Sequence, residues 1–237
     1  MWNVASCVGC FVSAVTLGSL ANAAVINVDV QPSTGGINYT GTAAAPGSGT
    51  FWNSLNLISG VTASVSNLKQ SDGLTTTAIG MSITGTGNSA STMGGGTNGS
   101  YSSDNLMRDF VFNRGTNATT ITFSGLQANQ LVDLYLYGFK DSGTLATFTF
   151  GGIPKALTKI DPNVALPLIY TSTGEGRVWV KFLGLQANGS GMLTGSANAA
   201  ANAWYSFNGA QLVIVPEPNS TVLLGLSSLA LLRRRRA

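Results

Sequence analysis

The residues here that could do chemistry are carboxylates. The chain has nine Asp and Glu and no His. Hydrolysis of a glycoside needs two carboxyl groups about 5–9.5 Å apart. Two pairs can be offered, Asp104 with Asp109 and Asp133 with Asp141, and neither lies in a supporting motif. Asp104 precedes Leu106, Met107 and Phe110 as a helix cap does, and Asp141 precedes Ser142-Gly143 as a turn residue does. The missing imidazole excludes Ser-His-Asp triads and removes the commonest metal ligand. Gly94-Gly95-Gly96 has no following Lys-Ser/Thr and is not a phosphate loop. No catalytic residue is assigned, and the expected protein is not an enzyme.

Binding chemistry is left. No cofactor is required. A structural calcium ion, held by carboxylates and backbone carbonyls as sandwich folds allow, has Asp29 and Asp133 as its candidate ligands. Trp52, Trp204 and Tyr205 are candidate glycan contacts, because an aromatic face stacks on a sugar ring while its polar edge hydrogen-bonds. Trp204 and Tyr205 follow a Gly/Asn-rich segment, where binding residues often lie. Core filling is the competing role for all three. Nucleic acid is excluded as a partner. Four of the 12 basic residues are the terminal Arg233, Arg234, Arg235 and Arg236, and the other eight face eight acids between Asp29 and Glu175. The pI near 9.0 therefore reports the tail, not a basic face.

Short strands must position these side chains. Ala24 to Val30 alternates Val25, Asn27 and Asp29 against Ile26, Val28 and Val30, the pattern of a half-buried strand. Further β-branched and aromatic runs cover 61–66, 77–84, 119–123, 131–139, 146–150, 156–160, 166–172, 177–182 and 211–215. About ten such strands predict a mainly β fold, a single jelly-roll-like antiparallel β-sandwich. Gly85 to Ser100 and Asn188 to Asn202 read as flexible loops, being rich in Gly, Ser, Thr and Asn. Phe123-Ser124-Gly125-Leu126-Gln127-Ala128-Asn129 nearly recurs as Phe182-Leu183-Gly184-Leu185-Gln186-Ala187-Asn188, which reads as a repeated strand-end turn.

Both ends read as processing signals. The apolar run from Val8 to Leu20 leads to Ala21-Asn22-Ala23, an A-x-A cleavage site, although no Lys or Arg precedes the run. Both cysteines, Cys7 and Cys10, fall inside this signal, so the mature body has no thiol chemistry. At the other end Pro216-Glu217-Pro218 is followed by apolar residues from Asn219 to Leu232 and then by Arg233 to Arg236. The prolines break any continuing element. Fourteen helical residues would span roughly 21 Å, short of a ~30 Å hydrocarbon core, a gap that snorkelling arginines and a thinned bilayer can close. The expected organisation is a signal peptide at 1–23, a sandwich at 24–214 and a terminal signal with a hydrophobic helix at 215–237.

This tripartite terminus resembles the PEP-CTERM sorting signal of Gram-negative and related bacteria. The resemblance rests on Pro216, Glu217, Pro218, the apolar stretch and Arg233 to Arg236. It implies an exosortase-type processing enzyme as partner, transient anchoring in the inner membrane, and delivery to the cell surface or exopolysaccharide matrix. The segment Phe207 to Val213 is similar to the last strand of galactose-binding-like sandwiches. The alternative function is a secreted carbohydrate-binding module.

Overall fold

Alternation along the first strand sets the architecture. The computed structural model describes residues 23–58, 62–85, 89–92, 105–138, 146–158 and 170–216. In β1 (Ala24–Pro32), Ile26, Val28 and Val30 point into the main core, and Val25, Asn27, Asp29 and Gln31 point the other way. The remaining elements are β2 (Asn53–Leu57), β3 (Ala63–Val65), β4 (Gly80–Thr84), β5 (Ser89–Thr92), α1 (Asn105–Arg108), β6 (Asp109–Arg114), β7 (Thr119–Ser124) and β8 (Leu131–Tyr137). They continue with β9 (Thr147–Phe150), β10 (Ile153–Ala156), β11 (Trp179–Gln186), β12 (Leu193–Asn198), β13 (Trp204–Phe207) and β14 (Gly209–Ile214).

The strands form a five-stranded sheet, β11-β8-β14-β1-β2, a six-stranded sheet, β10-β9-β12-β7-β4-β3, and a small sheet, β13-β6-β5. All pairings are antiparallel except β1 with β2. One apolar cluster joins the two large sheets. It takes Ile26, Val28, Leu134, Leu136, Phe182 and Leu212 from the first and Met81, Ile83, Ile121, Phe123, Phe148 and Phe150 from the second. The protein is thus mainly β, a jelly-roll-like sandwich.

Five expectations change. The first strand is not half-buried: every residue from Val25 to Gln31 is buried, because a second layer covers the outer face of its sheet. Asn188 to Asn202 is not a loop, since it contains β12, an interior strand paired with β7 and with β9. Its small residues reflect crowding: a Cβ on Gly195 would lie 2.5 Å from the Phe150 ring. The run at 156–160 starts where β10 ends at Ala156, and residues 159–160 lie outside the described residues. Of the run at 166–172, the described part is turn and bend. The other loop, Gly85 to Ser100, contains β5, and most of it lies outside the described residues.

The repeated heptad serves two geometries. Its first copy ends β7, with Gly125 at φ 76° and Asn129 at φ 64°. Its second copy is a bulge inside β11, where the register against β8 shifts between Phe182 and Leu185 and Gly184 has φ 62°. The Asp133 carboxylate secures that bulge by accepting the Gly184 N–H at 2.8 Å.

Candidate functional site

The outer face of the five-stranded sheet is covered by the segment 37–52, and the cover is held by side chains of the sheet. Asn27 and Gln211 are cross-strand partners, and Gln211 is opposite Tyr135. The Gln211 amide donates to Asn27 Oδ1 at 2.8 Å, and Gln211 Oε1 accepts the Ala45 N–H at 2.9 Å and the Tyr137 hydroxyl. Asn27 Nδ2 donates to Phe51 O at 2.9 Å. Asp29 Oδ2 accepts the Tyr39 N–H at 2.9 Å, and Asp109 Oδ2 accepts the Ile37 N–H at 2.6 Å. Strand residues facing outward thus bind the backbone of an irregular segment that has no ladder of its own.

That layer decides the fate of Trp52. Its indole is 4% exposed and donates to Gly41 O at 2.8 Å. It packs edge-on against Tyr39, centroids 5.1 Å apart, beside Gly209, where a Cβ would press on Val28 O at 2.7 Å and Leu106 Cδ1 at 2.9 Å. Trp52 is a core residue here and offers no face to a sugar.

Tyr205 is also buried, at 0% exposure, because β13 turns it under the small sheet. Its hydroxyl donates to Asn117 O at 2.7 Å and lies 2.8 Å from Thr119 Oγ1. It therefore holds the β6–β7 turn from below. Trp204, the residue before it in the strand, points outward and is 42% exposed. Its ring stacks at a tilt against Phe112, centroids 5.5 Å apart, and the Arg114 guanidinium carbon lies 5.7 Å from its centroid. The β6–β7 and β12–β13 turns meet beside it: Gly115 N donates to Ala203 O at 2.6 Å and Ala199 N to Gly115 O at 3.1 Å. Between them lies an open depression of about 310 Å³, lined by Arg114, Gly115, Thr116, Asn117, Ala201 and Asn202. Arg114 and Asn117 were not singled out by sequence. They come from a hairpin some 90 positions before Trp204, and no local pattern marks them.

Asp29 and Asp133 do not meet. Asp29 is opposite Gly209 and Asp133 opposite Val213, both in β14. Four residues and two strand spacings separate them, about 16 Å, whereas oxygens around one calcium ion lie about 2.3–2.6 Å from it. Asp29 binds the covering segment and Asp133 the bulge instead. Among the described residues no group of three or more His, Cys, Asp or Glu is placed to hold a metal ion. Asp109 is fully buried, and Asp104 and Asp141 lie outside the described residues, as do Glu217, Pro218 and Arg233 to Arg236. Pro216 is exposed, two residues beyond the last strand.

Three buried phenols make alkaline pH a probe of this architecture. Burial pushes the Tyr137 hydroxyl well above its usual value of 10.0, outweighing the lowering effect of the Ala44 N–H. Burial likewise raises Tyr205, against its bonds to Thr119, and raises Tyr135, where the Asp133 charge adds to the effect. The folded state keeps these protons while unfolded phenols release theirs from pH ~10 upward. The unfolded state then binds fewer protons, so stability is full below pH ~10 and falls above it. Urea midpoints measured between neutrality and pH ~11 should fall steepest at the alkaline end, and Tyr137→Phe should flatten that limb. An equal slope in the variant would assign the loss to other groups.

Comparison with known proteins gives the class at the C-terminus. Residues 215–236 match the PEP-CTERM protein-sorting motif. A chain bearing this signal is exported, with a transient membrane anchor. No curated protein matches the chain. Among solved structures it is similar to a GH26-CBM35 β-(1,4)-mannanase from Podospora anserina, with 16% identity over 58% of this chain and 27% of that one, TM-score 0.34. It is also similar to a CBM36-1 domain of a multidomain xylanase from the hindgut metagenome of Trinervitermes trinervoides (15% identity, 55% of this chain and 99% of that one, TM-score 0.29). A third is the CBM22-1 xylan-binding domain from Paenibacillus barcinonensis (15% identity, 57% and 87%, TM-score 0.31). The chain spans about a quarter of the mannanase it matches. Among the described residues no helix is long and apolar enough to cross a membrane.

Proposed function

We propose that this protein is a non-enzymatic β-sandwich delivered to the bacterial surface or exopolysaccharide matrix, and that its terminal signal is the substrate of an exosortase-type protease. The observation that carries the reading is the sorting motif at 215–236, which begins one residue after β14 ends at Ile214. The last strand ends where the motif begins, and among the motif's described residues only the first, Val215, is hydrogen-bonded to the body, by its N–H to Leu131 O and by its carbonyl to the Gln130 amide. In this reading residues 1–23 direct export, 24–214 are the passenger and 215–237 are a temporary handle. Pro216 and Pro218 keep the backbone around Glu217 extended, the form a protease cleft accepts. The apolar stretch holds that site at the membrane boundary, and Arg233 to Arg236 stay cytoplasmic.

Mass spectrometry of the protein recovered from cells and medium tests this. The expected C-terminus lies near Pro216-Glu217-Pro218. Deleting Arg233 to Arg236 should slow the appearance of that product in a pulse-chase. A chain intact to Ala237 in both fractions would overturn the proposal.

A second reading, that the passenger binds glycan, is favoured by one observation: Trp204 is 42% exposed beside a polar depression. Sugar rings present C–H faces to such a platform and hydroxyls to its amide rim.

A further inference from the structure

We propose that the face formed by Trp204 and Arg114 takes an acidic polysaccharide, a glycan bearing uronate carboxylates. The inference rests on the glycan-binding reading above and names its ligand class.

The chemistry follows from the charge of the site. Arg114 is exposed, and among the described residues no carboxylate pairs with it. Its Nε donates to Asn202 O at 3.4 Å, which leaves both terminal nitrogens as donors. Its guanidinium also lies over the Trp204 ring, within the ~6 Å reach of a cation–π contact. Two contacts thus hold the cation against the Trp204 ring. None of the residues lining the depression is acidic, and Thr116, Asn117 and Asn202 supply hydroxyl and amide groups for sugar hydroxyls. The volume of about 310 Å³ lies at the small end of ligand sites, ~300–1,000 Å³. A pyranose on the indole would bring a ring carboxylate against the guanidinium fork, whose planar geometry suits a carboxylate better than a neutral hydroxyl. Tyr205 supports the site from beneath by holding the Asn117 carbonyl.

The test uses the full chain in detergent, with three immobilised polymers: polygalacturonate, the same polymer after carboxyl reduction, and dextran sulfate. Wild type should bind polygalacturonate about tenfold more tightly than the reduced polymer. Arg114→Gln should abolish that preference, so that the two polymers bind alike. Arg114→Lys should retain part of it, and Trp204→Ala should weaken binding to both polymers. Arg114 is exposed, so its variants should keep the wild-type melting curve, and binding of Trp204→Ala is read well below its own melting midpoint. Equal wild-type binding to acidic and reduced polymers, lost in Trp204→Ala, would end the uronate proposal and keep the glycan reading. Binding that Trp204→Ala leaves unchanged would end both. Dextran sulfate held as tightly as polygalacturonate, independently of Trp204, would show a generic anion effect and also end the uronate proposal.

Discussion

Gly195→Val should destabilise the protein by about 3 kcal/mol or more, although valine is the better strand residue. Propensity alone favours the change by at most ~1 kcal/mol. Packing opposes it, because an added Cβ would stand 2.5 Å from Phe150 Cγ, Cδ2 and Cε2. Strand β12 is fixed on both sides, with Gly195 opposite Ile121 of β7 and Phe150 of β9. The strand cannot retreat, and Phe150 is itself 1% exposed within the main core. Phe150→Ala alone should cost about 3–5 kcal/mol by leaving a cavity. The double variant should be far less damaged than the sum of the two, since the valine methyls occupy part of the vacated ring volume. Urea unfolding of the four proteins gives the coupling energy directly. Additive effects would mean that the Gly195–Phe150 contact is not what makes position 195 a glycine.

That contact also explains where sequence reading failed. Asn188 to Asn202 looks like a linker because its residues are small and polar, yet a strand lying under aromatic rings needs small residues. Composition cannot distinguish a segment with nothing to pack from one against which larger groups pack. The strands carrying Val, Ile and Phe at period two were legible: β1, β4, β7, β8, β9, β11 and β14 all overlap predicted runs. The short β2, β6 and β13 were missed. Asn53, Asp109, Asn113 and Ser206 interrupt their alternation and are nevertheless buried; Asn53 bonds Asn27 and Lys69 and Asp109 bonds Ile37, partners that only the tertiary structure supplies. The surface platform was half legible. Trp204 was singled out, but its neighbours Arg114 and Asn117 arrive through the pairing of β13 with β6. The sorting motif was legible, because such signals are read as linear sequence.

Gln211→Leu should release the covering segment while leaving the sandwich folded. Gln211 is fully buried, and its side chain serves three groups: the Ala45 N–H, the Tyr137 hydroxyl and Asn27 Oδ1. Leucine nearly conserves the volume, so cavity formation contributes little. The loss comes from polar groups left in a dry layer, at about 1–3 kcal/mol each, or about 3–9 kcal/mol if the layer stayed closed. Opening the segment lets water reach those groups and limits the penalty, so the molecule should open locally before it unfolds globally. Hydrogen exchange should accelerate at Ala44 and Ala45, whose N–H groups donate to Tyr137 and Gln211, and at Tyr39, whose N–H is held by Asp29. Amides in the β12 ladders with β7 and β9 lie in the opposite sheet and should exchange as in wild type. Acceleration spread evenly over both sheets would contradict this, because the main apolar cluster, not the amide row, would then be what Gln211 supports. The two outcomes separate a sandwich with an attached cover from a single cooperative unit. They also state what the outward polar residues of β1 and β14 do: they replace a ladder for a segment that has none.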